Sequence, residues 1–226
     1  MRALGLLVLA GSILGISTLR AAPTYCTPGA GIWNEGDDGQ GDAGKLPSNA
    51  NATIGSGPLN EICGSLTDTT SGGDMYEILI TGSTFSALTS PGATNGVTDP
   101  ALYLFDSSGD GLDANNDVSP SSTQAGLTLT GLTPGVYFLE IVPNNQQPEN
   151  KKGDLIFGNI TGTNTTVFAP VVSDTTLSSW TNAGAGDTGK SYVITLTDAG
   201  FAVPEPATFG LIGIGLGLLA FTRRRA

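Results

Sequence analysis

Histidine is absent from all 226 residues, and cysteine occurs only twice, as Cys26 and Cys63. The first absence excludes every Ser-His-Asp or Cys-His nucleophilic arrangement and every histidine-containing zinc site. Two cysteines are too few for a four-cysteine metal centre. A phosphate-cradling GxxxxGK[ST] loop is missing, and no strand–helix–strand context offers a dinucleotide site. Basic residues are scarce too. Nine Lys and Arg stand against 20 Asp and Glu, for a formal net charge of −11. Arg2, Arg20 and Arg223 to Arg225 lie near the ends, leaving only Lys45, Lys151, Lys152 and Lys190 between them. Such a surface repels nucleic acid, which is bound mainly through Lys/Arg–phosphate contacts. It repels anionic lipid as well, and favours divalent cations or simple solubility. Tryptophan is limited to Trp33 and Trp180, a thin supply for a sugar cleft. A glycosidase would need two carboxylates converging about 5–9.5 Å apart. No spacing here selects such a pair, and the chain reads as non-enzymatic.

Residues 1–22 read as a signal peptide. Arg2 supplies a minimal positive n-region, Leu4 to Ile16 an apolar h-region, and Ala21 and Ala22 the small residues of a cleavage site. The implied partners are signal peptidase and the general secretion machinery. An uncleaved N-terminal anchor is the alternative. Export brings an oxidising compartment, where Cys26 and Cys63 would form one disulfide tying the N-terminal arm to the first strand region. Spacing leaves two buried thiols open as the other reading.

The middle of the chain keeps no helical period over any long segment. Short β-rich runs recur instead at Met75–Ile80, Leu102–Phe105, Leu127–Leu129, Val136–Val142, Leu155–Ile160, Thr166–Phe168 and Tyr192–Leu196. Turn-forming clusters such as Ser71-Gly72-Gly73-Asp74 and Thr133-Pro134-Gly135 separate them. This pattern predicts an all-β fold, a single antiparallel β-sandwich over residues 23–200, with a barrel as the alternative. A signal helix would precede it and a short C-terminal transmembrane helix would follow. Tyr137, Leu139 and Ile141 share one strand face, while Phe138, Glu140 and Val142 share the other. The acid predicts that the second face is partly solvated. Residues 23–60 are poor in apolar side chains and read as largely loop. The polar stretch Pro143 to Gly153 reads as a long exposed loop.

One acidic stretch approximates a calcium loop: Asp106-Ser-Ser-Gly-Asp-Gly-Leu-Asp-Ala-Asn-Asn-Asp117. Asp106 takes position 1, Ser108 position 3, Asp110 position 5, Gly111 position 6 and Asp117 position 12, with Asp113 between. Ca²⁺ takes six to eight hard oxygens, which carboxylates on a glycine-permitted turn supply. Position 12 is Asp rather than the longer Glu, and a strand rather than a helix leads in. A polar hairpin turn uses the same residue types and stands as the other reading.

The C-terminus reads VPEPATFGLIGIGLGLLAFTRRRA over residues 203–226. Val203, Pro204, Glu205 and Pro206 stop the preceding strand and hold the chain extended. Ala207 to Thr222 are then uncharged, and Arg223, Arg224 and Arg225 follow. Sixteen helical residues reach only about 24 Å, short of a ~30 Å hydrocarbon core. Gly210, Gly213, Gly215 and Gly217 weaken that helix further. The three parts, in this order, resemble the PEP-CTERM sorting signal. That resemblance implies processing by a membrane protease-transpeptidase, an exosortase, and transient residence in the inner membrane. It also implies a Gram-negative host making exopolysaccharide, and a destination at the cell envelope, outer surface or extracellular matrix. A plain tail anchor is the alternative.

A second resemblance rests on DPALYLFDSSGDGLDANND (Asp99–Asp117) and LTGLTPGVYFLEI (Leu129–Ile141), with looser support from Gly64-Ser65-Leu66 and Asp74-Met75-Tyr76. These are similar to PPC-like (pre-peptidase C-terminal) domains of secreted bacterial proteins. The likeness implies a jelly-roll-like sandwich serving as an accessory module, without catalytic residues. Three classes of function remain in play. The first is an exported, non-enzymatic surface or matrix protein linked to exopolysaccharide or biofilm. The second is a calcium- or carbohydrate-binding accessory module, which requires Trp33, Trp180 or the Asp106–Asp117 loop to line one concave face. The third is a hydrolase.

Overall fold

Alternation of apolar and polar residues between glycine- and proline-marked turns produces strands throughout the computed structural model. It describes residues 25–36, 39–66, 72–93, 95–144, 146–160, 165–181 and 189–204. The signal peptide at 1–22 and the tail from Glu205 onward, including Pro206, Arg223, Arg224 and Arg225, lie outside the described residues.

The N-terminal arm carries β1 (Ile32–Asn34), β2 (Asn51–Ala52) and β3 (Ile54–Gly55), with a 3-10 turn at Pro47–Asn49. The main strands follow as β4 (Glu61–Leu66), β5 (Asp74–Ile80), β6 (Thr84–Pro91), β7 (Pro100–Asp106), β8 (Gly111–Asn115), β9 (Gly126–Thr130) and β10 (Gly135–Pro143). A short pair, β11 (Pro148–Glu149) and β12 (Ser179–Trp180), precedes β13 (Lys190–Thr197), β14 (Ala199–Phe201) and β15 (Val203–Pro204).

β11-β12 and β15-β3 make two separate two-stranded pairs, and the other eleven strands form two facing sheets. One has the order β1-β4-β13-β6-β9, and the other β14-β5-β10-β7-β8 with β2 beside β5. The fold is all-β and sandwich-like. Its main pairings are antiparallel, whereas β1 on β4, β2 on β5 and β15 on β3 run parallel. The expectation of wholly antiparallel pairing therefore fails at the edges. There the extended N-terminal arm adds short strands in the direction in which it happens to pass.

Ile62, Leu127, Ile194 and Leu196 from the first sheet meet Ile78, Leu104, Leu139 and Ile141 from the second in one core. Each such side chain contributes roughly 1.5–3 kcal/mol on burial. The face assigned to Tyr137, Leu139 and Ile141 is thus inward. The opposite face is not solvated as its acid suggested. Phe138, Glu140 and Val142 are buried, because residues 146–160 and 165–181 fold back over the second sheet. Ile156, Phe157, Ile160, Leu177 and Trp180 cover Met75, Tyr103, Phe105 and Phe138 there, making a second apolar cluster.

That cover corrects three further expectations. Residues 143–153 are not simply an exposed loop, since Gln146, Gln147 and Asn150 are buried. Their amides satisfy backbone groups: Asn150 Oδ1 accepts from Lys152 N at 2.9 Å and Asp154 N at 3.1 Å. Leu155–Ile160 form a turn rather than a strand, and Phe168 makes only an isolated bridge to Ala114. Both runs are apolar because they plug a surface, not because they extend a sheet. In the other direction, β6 appears where the residues TFSALTSP gave little apolar signal. Phe85, Ala87 and Thr89 face inward, with Ser86 and the exposed Leu88 between them.

Cys26 and Cys63 form a disulfide with Cα atoms 5.9 Å apart. It fastens the N-terminal arm to β4.

Candidate functional site

The acidic stretch after β7 forms a β-hairpin. Asp106 ends β7, and its Oδ1 accepts from Ser108 N at 2.8 Å and Asp110 N at 3.0 Å. Gly109 occupies the left-handed region at φ 82°, which the turn requires. Asp110 Oδ1 accepts from the Thr176 hydroxyl. The next residues are β8 itself, paired back on β7 with Leu102 opposite Asn115. Asp113 sits on that strand, its carboxyl pushed up by burial. Asp117 lies beyond it, accepting from Asn116 Nδ2 at 3.3 Å. At about 3.3 Å per strand residue, Asp106 and Asp117 are roughly 20 Å apart along the hairpin. Among the described residues, no three of these carboxylates converge. Asp106, Ser108, Asp110, Asp113 and Asp117 are thus spread along a turn and a strand instead of ringing a common centre.

The tryptophans separate as well. Trp33 is 2% exposed and meets Tyr76 edge-on in the inter-sheet core. Trp180 is 8% exposed and packs on Tyr103 and Phe105 in the second cluster. Neither offers a sugar an open ring face. An open groove lined by Leu88, Val118, Gly126, Thr128 and Val167 carries no titratable side chain.

Chemistry gathers instead where the N-terminal arm meets β4 and the start of β5. Glu35 follows β1, Asp42 lies further along the arm, and Asp74 opens β5. One carboxylate oxygen from each lies within 4.8 Å of the others. Glu35 is locked by two backbone donors, Ala43 N to Oε1 at 2.8 Å and Ser65 N to Oε2 at 3.0 Å. Asp74 Oδ2 accepts from Tyr192 OH at 2.6 Å. Tyr192 belongs to the first sheet and Tyr76 to the second, and their hydroxyls share a hydrogen bond across the core. Gly64 makes room for that pair, since a Cβ there would stand 2.5 Å from Tyr192 OH. Glu35 and Asp74 are buried, and Asp42 is exposed, so the trio has a wet side.

Burial sets the electrostatics. It raises Glu35 from 4.5 to about 7, against the pull of the Ala43 and Ser65 amides and with a push from Asp42. Burial also holds Asp74 well above the usual carboxylate range, and the Glu35 charge adds to it. Tyr76 and Tyr192 are raised by burial and then by the neighbouring carboxylates. Glu35 and Asp74 thus resist ionising together in the absence of a cation. Hard carboxylate oxygens open on one side are the ligand type that Ca²⁺ takes, and the trio would supply three of the six to eight it needs. The other grouping of ligand types, Cys26, Glu61 and Cys63, has both sulfurs engaged in the disulfide.

Sequence reasoning missed this trio because its members are distant along the chain and no local motif joins them. One signal was present. Asp74 shares its strand face with Tyr76, Ile78 and Ile80, and an acid in register with a core face marks a site where something must answer its charge.

At the end of the domain, the predicted sorting signal begins as a strand. Val203 N donates to Thr53 O at 3.0 Å, and β15 lies along Ile54–Gly55.

Residues 202–226 match the family model of the PEP-CTERM protein-sorting motif. No curated protein matches the chain. The motif marks an exported, envelope-associated protein with exosortase as its processing partner.

Proposed function

We propose that the chain is a non-enzymatic surface or matrix protein, exported and then cut by an exosortase near Pro204–Pro206. The sorting motif at residues 202–226 carries this reading. The domain ahead of it supplies a stable β body, and the likeness of residues 60–142 to PPC-like domains supports use as an accessory module. Its strongly acidic middle suits a hydrated exopolysaccharide matrix containing divalent cations. The test is fragment mapping of the protein from envelope and medium. Mature molecules should end near Pro206 and lack Arg223 to Arg225, whereas a host without exosortase should retain them. Mature protein that keeps the three arginines in an exosortase-containing host would refute the proposal.

A specific observation favours a second reading of the same body as a calcium-binding module: the convergence of Glu35, Asp42 and Asp74. The cation would bind there and not at the hairpin after β7. It would neutralise two buried acids and pin the N-terminal arm to β5. A ligand bound only by the native state at one hundred times its Kd adds about 2.7 kcal/mol of stability. Asp42→Asn and Asp74→Asn should abolish the calcium-dependent rise in melting temperature, and Asp106→Ala should leave it intact. The reverse pattern would return the site to the hairpin.

A further inference from the structure

Beside the carboxylate trio, a lysine, a glutamine and an orphaned acid meet under the cover of the second sheet. Lys45 lies on the arm just ahead of the 3-10 turn, and Gln146 lies just past β10. Lys45 Nζ donates to Gln146 Oε1 at 3.2 Å, across 101 residues of sequence. Both partners are held from behind. Trp180 Nε1 donates to the Lys45 carbonyl at 2.7 Å. Tyr103 OH donates to the Gln146 carbonyl at 2.9 Å, and Gln146 Nε2 donates to Gly72 O at 3.2 Å. Gln146 is 1% exposed.

Glu140 is fully buried, and neither of its carboxylate oxygens accepts a hydrogen bond. Buried polar groups are almost always satisfied, so an exception calls for a chemical reason. Lys45 is the positive charge that Glu140 feels. Gly73 lets the two approach: a Cβ there would stand 2.7 Å from Lys45 Cδ and 2.8 Å from Glu140 Oε1. An amine, an amide and an acid thus come together, the acid and the amide buried and the lysine half-buried.

We infer that this is a self-cross-linking centre, in which Lys45 Nζ and Gln146 Cδ become joined by an intramolecular amide bond with Glu140 as the proton carrier. Glu140 first takes a proton from the Lys45 ammonium, which removes both charges at once. The neutral amine then attacks Gln146 Cδ, forming the new C–N bond. Glu140 passes its proton to the departing nitrogen while the amine gives up one of its own, and the old C–N bond breaks to release ammonia. Ammonia recovers the remaining proton as ammonium, and Glu140 returns to its starting state. No oxidant or cofactor enters the balance. Fixed geometry replaces an encounter in solution, and a positioned acid–base group assists both proton transfers. The product would tie the N-terminal arm to the segment that covers the second sheet, as the disulfide ties the arm to the first.

The test is peptide mapping of the exported protein after reduction and denaturation. A lysine-specific protease should fail to cut after Lys45, and one branched fragment should join Lys45 to Gln146, lighter by one ammonia than its linear parts. Localising the loss to these two side chains separates it from ammonia loss at an asparagine. Linear fragments ending at an unmodified Lys45 in the wild-type protein would overturn the inference outright, without reference to any variant. Glu140→Gln, shown to be folded by its intact Cys26–Cys63 bond and β-type circular dichroism, should leave Lys45 cleavable. Full cross-linking in that folded variant would remove Glu140 from the mechanism. Lys45→Arg should abolish the branch, and a branch at Gln146 that survived it would disprove the assignment.

Discussion

Raising the pH from 4.5 to 7.5 in the presence of a chelator should weaken the fold, although most proteins gain stability as they leave acid. The group responsible is Glu35, whose carboxyl titrates near 4.5 when unfolded and near 7 when folded. Between those values the native state holds a proton that the unfolded chain has released, so stability falls as pH rises. The loss begins near pH 4.5 and is complete near 7. One pKa unit corresponds to about 1.4 kcal/mol, so the span amounts to roughly 3 kcal/mol for Glu35. Asp74 and Glu140 are shifted in the same direction by burial and add to the slope. For a domain of this size, 3 kcal/mol lowers Tm by roughly 6–12 °C. Millimolar calcium should reverse the trend, because the cation binds the ionised trio and makes deprotonation favourable in the native state. Urea unfolding at intervals of one pH unit, with chelator and with calcium, reads both effects. Glu35→Gln should flatten the chelator curve across this window. A fold that grows more stable between pH 4.5 and 7 without calcium would refute the assignment of a buried, protonated Glu35.

Replacing Cys26 and Cys63 together with serine should cost up to about 4 kcal/mol by the loop-closure model, since the bond spans 37 residues of sequence; calorimetry measures it. Gly64→Ala should cost about 1–3 kcal/mol, because the added methyl meets the Tyr192 hydroxyl and must part it from Tyr76. The shift in denaturant midpoint tests this. Trp180→Ala should cost about 3–5 kcal/mol without changing retention on immobilised polysaccharide, as expected of a residue that packs on Tyr103 and covers the second sheet.

Much of the fold was legible wherever alternation was strong. The runs that became β5, β7, β10 and β13 combine β-branched or aromatic residues with sharp turns, and each lies in the sandwich. β6 escaped because alanine, serine and threonine do its work. Its inward face needs only Phe85, Ala87 and Thr89 against the larger side chains of its neighbours. The cover of the second sheet escaped for a different reason. Gln146, Gln147 and Asn150 look solvent-bound by composition, yet each is buried in the segment that folds over the sheet. Glu140 shows the same limit from the other side. Its position among Phe138 and Val142 was readable, but whether water or protein lay above that face depended on residues that come later in the chain. The acidic trio needed the sandwich before it could be assembled. The hairpin after β7 was visible as a motif, but its residue types serve a turn as well as a metal.

If the tail is cut as proposed, the pairing of β15 with β3 bears directly on how the protein would be presented. Val203 and Pro204 already belong to a sheet edge, so severing the chain within the Pro-Glu-Pro triplet leaves at most two residues outside the last strand. Fully stretched, they span about 7 Å. On the proposed reading the processed molecule would have no stalk. Whatever it was joined to would be brought up against Ile54 and Phe201, with the N-terminal arm and acidic trio oriented by the fold rather than by a flexible tether. Thirty-odd ångströms of reach would require about ten inserted residues; without them the proposed cut would set the body flush with whatever receives it.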